Sequence, residues 1–291
     1  MSSPIRSSIS RSTSGFSLSS LWVYALLSAV SILIVAPLLW AVSSSFTPND
    51  QVYRYVYPFS LKAFIPQTFT LSAYQTLFFE KGFGTAILNT SLLTIGTVLI
   101  GGLINLLAGF AFGVFDFRGK NLLFGIVLFT FMVPIEVTII PQYIQMRDLG
   151  WINTWQGLLV PGLANSLVIF LFRQFFAEFP RDLLDAARVD GASWARILFS
   201  LVLPVSRPVL VGAGLVLFLS AWNAFFWPLV VAPRPEFRVI QVAISLSAQQ
   251  VQTLFNEMFA GALIAALVPI VLLLPLQQYY VNSIAATGIK E

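Results

Sequence analysis

Six apolar stretches, each long enough to cross a bilayer as a helix, dominate this sequence of 291 residues. A spanning helix needs roughly 20 apolar residues, because about 30 Å of hydrocarbon is crossed at about 1.5 Å per residue. Charged residues make up only 10% of the chain and its mean hydropathy is +0.85, which is too apolar for a surface in water. We therefore predict an all-α membrane protein with six transmembrane helices, at about 21–42, 84–115, 122–143, 157–176, 205–231 and 259–281.

The segments outside the core differ in composition. Residues 1–20 are rich in serine and show no apolar period, so we predict a disordered tail. The first span, 21–42, is longer than the apolar part of a signal peptide, and we expect it to remain as an anchor. Residues 43–83 form a polar external loop, 84–281 form the core transmembrane domain, and 282–291 form a short C-terminal tail.

The distribution of lysine and arginine predicts the orientation. If both termini are cytoplasmic, ten of the 16 basic residues lie on the cytoplasmic side and six lie outside. Positive residues favour the cytoplasmic side, so we predict that both termini are cytoplasmic. The net charge of +4 is explained by these loops, and we expect no nucleic-acid partner because no exposed stretch interleaves basic and aromatic residues.

Two residue types are missing from the sequence. It contains no cysteine and no histidine, which removes thiolate sites and the commonest general base and metal ligand. The pair Gly119-Lys120 lacks the flanking residues of a phosphate-binding loop. We therefore expect a transport subunit rather than an enzyme, with no metal and no cofactor bound by this chain.

The segment 180–208, between the fourth and fifth spans, differs from an ordinary short loop. Pro180 suits the first turn of a helix. Charges then recur at spacings of four and three and form one stripe, and Gly191 interrupts the helix. Apolar residues after the glycine recur at i, i+3, i+4 and i+7, which predicts a second, amphipathic helix at the membrane face. The stripe consists of Arg181, Asp185 and Arg188, and the apolar set is Trp194, Ile197, Leu198 and Leu201.

This segment resembles the EAA loop of ABC importer permeases. The shared pattern is an acidic residue, two alanines, three residues, a glycine, nine residues and an aliphatic-x-Leu-Pro ending. An aspartate stands here where the family usually has glutamate, and a leucine where it often has isoleucine. The matching residues, which the resemblance implies are the ATPase-coupling site, are Asp185, Ala186, Ala187, Asp190, Gly191, Leu203 and Pro204, with Leu201 beginning the final motif.

The resemblance implies a type I importer fold in the inner membrane of a prokaryote. In that family the first helix of the loop docks into a cleft of the ATPase and transmits nucleotide-driven closure to the transmembrane helices. The implied partners are a second, homologous permease, two ATPase subunits and an extracytoplasmic solute-binding protein. ATP and Mg²⁺ would then be bound by the ATPase.

Three further stretches, 133–141, 149–158 and 221–228, resemble the carbohydrate permeases of the MalG type. This implies that the transported solute is a sugar or a sugar-like molecule, such as an oligosaccharide, glycoside or polyol. A permease for another solute class, or a secondary transporter, is the alternative. The resemblance also directs the loop at about 233–252 toward the binding protein and the tail 282–291 toward the ATPase.

Four polar or aromatic residues within the spans are candidates for the solute pathway. An ionisable group in a membrane usually faces a cavity or a partner, amides can bond sugar hydroxyls, and an indole can stack on a sugar ring. Each also has a plain explanation: hydration at the interface, bonding between helices, or interfacial anchoring. The candidates are Glu136, Asn165, Asn223 and Trp222.

The second span contains a pair of glycines four residues apart, Gly109 and Gly113. This spacing permits close approach of two helices in a membrane. We predict that the pair serves packing rather than transport.

Overall fold

The computed structural model describes residues 18–248 and 254–288, and every regular element among them is helical. The all-α prediction is confirmed for that part of the chain. Most of the predicted N-terminal tail, the last four residues of the 233–252 loop and the last three residues of the chain lie outside the described residues. The main helices, in chain order, are α1 (Leu18–Ser45), α2 (Phe83–Val114), α3 (Lys120–Met132), α4 (Ile135–Asp148), α5 (Trp155–Gly162), α6 (Ser166–Ala177), α7 (Arg181–Val189), α8 (Trp194–Val205), α9 (Arg207–Trp222), α10 (Phe226–Val231), α11 (Ile240–Ala248) and α12 (Phe255–Gly288).

Three helices are long and apolar enough to cross a membrane without a break, namely Leu21–Ser45 within α1, the whole of α2, and Phe255–Pro275 within α12. Three bent pairs, α3 with α4, α5 with α6, and α8 with α9, each pass the same test when the two helices are counted together. The described residues therefore provide up to six candidate spans, in agreement with the predicted number. Both outer helices exceed their predicted bounds, since α1 begins at Leu18 and α12 continues to Gly288.

The third predicted span, 122–143, is wrong as a single helix. Its two parts, α3 and α4, meet at 104°. Val133 between them is extended, with φ −83° and ψ 118°, because the residue before a proline avoids the helical region. Pro134 also lacks the N–H that would continue the helix. The segment is apolar, as predicted, but the restricted backbone of the residue before Pro134 divides it into two helices.

The fifth predicted span, 205–231, is also divided. A 90° bend at Ser206, which lies between Pro204 and Pro208, separates α8 from α9. A second break, which was not predicted, follows Trp222 and is succeeded by the short helix α10. Asn223 lies at this break, where its backbone N–H (3.1 Å) and its amide Nδ2 (3.0 Å) both donate to the carbonyl of Leu219.

Helices α2 and α6 pack closely through residues spaced every four positions along α2. A Cβ on Gly109 would lie 2.3 Å from the Cβ of Phe172, and one on Gly113 would lie 2.8 Å from the Cβ of Phe176. Neither position has room for a side chain, so the predicted packing role of the two glycines is confirmed. Asn105 lies four residues before Gly109, on the same side of α2.

Asn105, which is fully buried, joins α2 to the break between α5 and α6. Its Nδ2 donates to the carbonyls of Gly101 (2.6 Å) and Leu163 (2.8 Å). Its Oδ1 accepts from the backbone N–H of Asn165 (2.8 Å). These bonds satisfy backbone groups that the 42° bend removes from the helical ladder, which a membrane environment requires.

The two ends of the bundle contain different segments. We call the end formed by residues 115–120 and 177–207 the coupling end. We call the end formed by residues 43–83, 148–155 and 231–255 the opposite end, of which residues 249–253 are outside the described part. Each end has its own buried apolar cluster. Phe110, Phe176, Ile197 and Leu198 are in the first, and Phe83, Ile240 and Ala260 are in the second.

Candidate functional site

Helix α7 presents most of its residues to solvent. Pro180 precedes it and Asp182 lies in its first turn, where a carboxylate is favourable beside the free N–H groups. Leu184 is the one buried residue of the helix. Asp185 and Ala186 are exposed and Ala187 is half-buried, so the predicted acidic residue and the first alanine lie on a free surface.

A well-defined turn ends α7. Gly191 adopts φ +79°, a conformation that favours glycine. Its N–H bonds to the carbonyl of Arg188 (3.0 Å), and the N–H of Ala192 bonds to the carbonyl of Ala187 (3.0 Å). This pair of bonds is a Schellman motif, which satisfies the last carbonyls of the helix. The predicted bend at Gly191 is thereby confirmed and explained.

Helix α8 begins immediately after this turn. Ser193 caps it by accepting a hydrogen bond from the N–H of Arg196. Ile197, Leu198 and Val202 are buried, so the predicted apolar face is the packed one. Of the remaining predicted site residues, Leu203 is half-buried and Pro204 is exposed, just before the 90° bend.

Trp194 joins this loop to the end of α2. Its ring meets Phe115 edge-to-face, with centroids 4.8 Å apart, and lies 6.4 Å from the centroid of Phe110. The guanidinium of Arg188, on α7, lies 5.1 Å from the centre of the same indole ring. Aromatic pairs and cation–π contacts at these distances are attractive.

Asp116 provides a second connection. Its carboxylate oxygens accept from Lys120 Nζ (3.3 Å) and from Arg181 Nη1 (3.4 Å). The hydrogen bonds from Lys120 and then from Arg181 hold the pKa of this carboxyl below its usual value. Arg181 begins α7, so the corner that follows α2 contacts both the start of α7 and, through Trp194, its last turn.

A cavity of about 220 Å³ opens between this corner and α7. Its walls combine the aromatic joint with charged groups. The residues that line it include Gly113, Phe115, Asp116, Phe176, Arg181, Leu184, Asp185 and Trp194.

Two of the four pathway candidates have structural partners. Asn165 caps α6, since its Oδ1 accepts from the N–H of Val168 (3.1 Å). Trp222 is buried, and its Nε1 donates to the carbonyl of Ala265 on α12 (2.9 Å). It also stacks on Phe218 at 5.8 Å. The bond to Ala265 joins α9 to α12, whereas the Asn165 cap and the Phe218 stack each stabilise a single helix.

The other two candidates are exposed. Glu136 lies in the first turn of α4. Asn223 accepts a hydrogen bond through its Oδ1 from Nε2 of Gln241 (3.2 Å), and both residues have free surface. Within the described residues, no hydrogen bond links any two of the four candidates, so the structure does not assemble them into one cluster.

Sequence reasoning did not single out several residues that position the site: Asn105, Phe115, Asp116 and Gln241. Asn105 had a usable signal, because it continues the four-residue spacing of Gly109 and Gly113 in an apolar run. The others had none, since each acts through a contact with a distant part of the chain.

A family model described as "Binding-protein-dependent transport system inner membrane component" matches residues 105–285. The chain is 28% identical, over 262 residues, to the arabinooligosaccharides transport system permease protein AraQ of Halalkalibacterium halodurans, covering 90% of this chain and 93% of that protein. It is 30% identical over 208 residues to the sn-glycerol-3-phosphate transport system permease protein UgpE of Yersinia pestis, covering 69% and 73%.

The lactose transport system permease protein LacG of Rhizobium radiobacter is 28% identical over 260 residues, covering 89% of this chain and 92% of that protein. Among solved structures, a chain from the crystal structure of a bacterial ABC transporter involved in the import of the acidic polysaccharide alginate superposes with a TM-score of 0.78 at 23% identity. The superposition covers 92% of this chain and 99% of that chain. The likeness supports the type I importer fold expected from the sequence.

Proposed function

Because this chain belongs to the family of inner-membrane components of binding-protein-dependent transport systems, we propose that it is a permease subunit of an ATP-driven importer. Members of this family work with an ATPase and a binding protein. Transport is the role of this chain, and ATP hydrolysis belongs to a separate ATPase subunit that binds ATP and Mg²⁺. The observation that carries the proposal is the free face of α7, held in place by the Schellman turn at Gly191.

The free face of α7 has the properties of a docking surface. Two apolar residues there are open to solvent, Leu183 at 49% and Val189 at 87%. Burial of a whole valine or leucine side chain contributes about 1.5 to 3 kcal/mol. Ala186 permits a close approach, and the carboxylate of Asp185 is free to pair with a basic group. The ATPase supplies the cleft that covers these residues, and Asp190, Gly191, Leu203 and Pro204 hold the geometry behind them.

The solute class follows from the relatives. The named systems transport arabino-oligosaccharides, sn-glycerol-3-phosphate and lactose, which are all sugars or polyol derivatives. The solute of this chain is accordingly a sugar or sugar-like molecule. Of the pathway candidates, Asn223 suits contact with a hydroxylated solute best, because it is exposed and its neighbour Gln241 adds a second amide. Glu136 is a further exposed candidate, whereas Asn165 and Trp222 shape the pathway by fixing helices.

The complete importer contains a second, homologous permease, two ATPase subunits and an extracytoplasmic solute-binding protein. Both termini and the coupling end face the cytoplasm of a prokaryote, and the opposite end receives the solute from the binding protein. Nucleotide binding closes the ATPases, the docked loop moves, and the helices change from an inward-facing to an outward-facing cavity. Such an equilibrium shifts only because nucleotide binds the two states unequally.

The substitution Gly191→Val tests the docking role. Gly150→Val is a matched control, because Gly150 also has a positive φ (+71°) and, like Gly191, no atom within 4 Å of an added Cβ. Both changes impose similar backbone strain, of about 1 to 3 kcal/mol. We expect Gly191→Val alone to abolish co-purification with the ATPase and ATP-driven uptake of an arabino-oligosaccharide, lactose or sn-glycerol-3-phosphate in proteoliposomes.

Undiminished uptake by Gly191→Val, or equal losses in both variants, would contradict the docking role. Uphill transport by the purified chain alone would contradict the proposed function as a whole. Uptake of a non-sugar solute in preference to all three probes would retain the importer and overturn its solute class.

A further inference from the structure

The loop between α6 and α9 contacts α2, a helix that it does not adjoin in the sequence. The contacts include Phe110 within α2 and the two residues that follow it, Phe115 and Asp116. Asp116 binds Arg181, and Phe115 binds Trp194, which in turn lies against Arg188. Arg181 and Arg188 are seven residues apart and share a face of α7. The docking helix is thus attached at both of its ends to the same corner.

The loop is joined covalently to α6 on one side and to α9 on the other. On the α9 side the chain turns by 90° between α8 and α9, so the loop and α9 do not form one continuous helix. On the other side α6 continues for 12 residues before its 42° bend from α5. Helix α2, in contrast, continues without such a bend over 32 residues, Phe83–Val114. Coupling between distant sites is carried best by rigid elements and contiguous packed contacts.

At its other end α2 is attached to the chain between α10 and α11. The amide of Asn89 donates to the carbonyls of Glu236 (2.8 Å) and Arg238 (3.0 Å). The hydroxyl of Thr90 accepts from the N–H of Ile240 (2.8 Å). Asn89 and Thr90 are both buried. One straight helix therefore contacts the docking loop at one end and residues 236–240 at the other.

We propose that α2 is the element that receives the movement of the docked loop, and that Trp194 is a positioning residue for transport. Its indole clamps the loop to Phe115, so that a displacement of α7 displaces α2 and, with it, the segment at residues 236–240. This inference rests on the proposed function, and it concerns transmission rather than docking. Trp194 itself need not touch the ATPase.

The test uses Trp194→Ala and Trp194→Phe in the assembled importer, with Trp40→Ala as the control. Trp40 is a fair match because it also joins two helices by an edge-to-face contact, with Phe259 of α12 at 5.0 Å, and lies outside the path from α7 to residues 236–240. Three quantities are measured: co-purification of the ATPase, the rate of ATP hydrolysis with the binding protein present, and uptake of arabino-oligosaccharide, lactose or sn-glycerol-3-phosphate.

In Trp194→Ala we expect an assembled complex that still hydrolyses ATP, with uptake per ATP lowered about tenfold. Trp194→Phe keeps an aromatic edge for Phe115 and restores most of the ratio, and Trp40→Ala leaves it unchanged. The double variant Trp194→Ala/Phe115→Ala loses no more than the larger single loss, because the two rings act as one unit.

An unchanged ratio of uptake to hydrolysis in Trp194→Ala would overturn the proposal, as would a parallel fall of both rates. Loss of ATPase co-purification in Trp194→Ala alone would overturn it too, because Trp194 would then belong to the docking surface. Failure of the unaltered chain to bind an ATPase would instead contradict the proposed function, so the two failures are distinguishable.

Discussion

The two ends of the bundle satisfy their polar groups in different ways. At the opposite end, separate segments are joined by buried groups: Lys81 pairs with Glu257, whose side chain is 7% exposed, and Asn89 bonds two backbone carbonyls. At the coupling end, the ion pairs that join segments are open to water, since the side chain of Asp116 is 74% exposed and that of Arg181 is 65% exposed.

The contrast indicates which end is complete within the chain itself. A buried donor or acceptor must find a partner inside the protein, and the opposite end provides such partners from its own segments. The coupling end holds its loop by a buried apolar cluster together with the aromatic joint, and it leaves apolar residues of α7 uncovered. That arrangement fits an end that another protein completes. The variants that follow test how far the contrast extends.

The largest effect is expected for a substitution between α2 and α6, which tests whether these helices stay closely packed toward the coupling end. In Gly109→Ala the new Cβ would lie 2.3 Å from the Cβ of Phe172, so α2 and α6 must separate. We expect a loss of about 3 kcal/mol in the free energy of unfolding, measured by denaturation in detergent. The control is Gly125→Ala in α3, where an added Cβ has no atom within 4 Å; there alanine is neutral or slightly stabilising. A tolerated Gly109→Ala would show that close packing does not extend toward the coupling end.

A smaller loss is expected when the buried ion pair of the opposite end is broken. Glu257→Gln removes the carboxylate that pairs with Lys81. A fully buried pair would cost more, but the side chain of Lys81 is 22% exposed and water compensates in part, so we expect about 2 kcal/mol. Asp148→Asn, which breaks the exposed Arg147–Asp148 pair, is the control and should leave the unfolding midpoint unchanged. Equal changes in the unfolding midpoint would contradict the inference that the buried ion pair stabilises the fold more than the exposed one.

The smallest effect is expected for Asp116→Asn at the coupling end. The pKa of Asp116 is lowered by Lys120 and Arg181, so its favourable interaction is present above its ordinary value of 3.8 and is lost as the pH falls through the lowered pKa. The difference in unfolding midpoint between Asp116→Asn and the unaltered chain should be small and constant between about pH 6 and 8. A difference that disappeared within that range would indicate a raised pKa and a buried carboxylate.

Local patterns were sufficient for part of the site. The spacing around Gly191 predicted a helix, a bend and an amphipathic helix, and each is present because caps, glycine conformation and apolar period act over a few residues. The division of 122–143 could also have been recognised, since it results from Val133 preceding Pro134. The break after Trp222 is different: its Asn223 is held both by its own helix and by Gln241, 18 residues away.

By itself, the sequence determined that the chain is a helical membrane protein with a helix, a turn and an amphipathic helix at 180–208, because hydropathy and short-range spacing decide both. Only the tertiary structure decided which distant helix this segment contacts. Phe115 and Trp194 are 79 residues apart in the chain, and Asn89 is 147 residues from Glu236. Their contacts depend on how α2 lies against α6 and α11, and no local period encodes that placement. The physical reason is that packing pairs surfaces across the whole fold, whereas a sequence pattern reports one surface at a time.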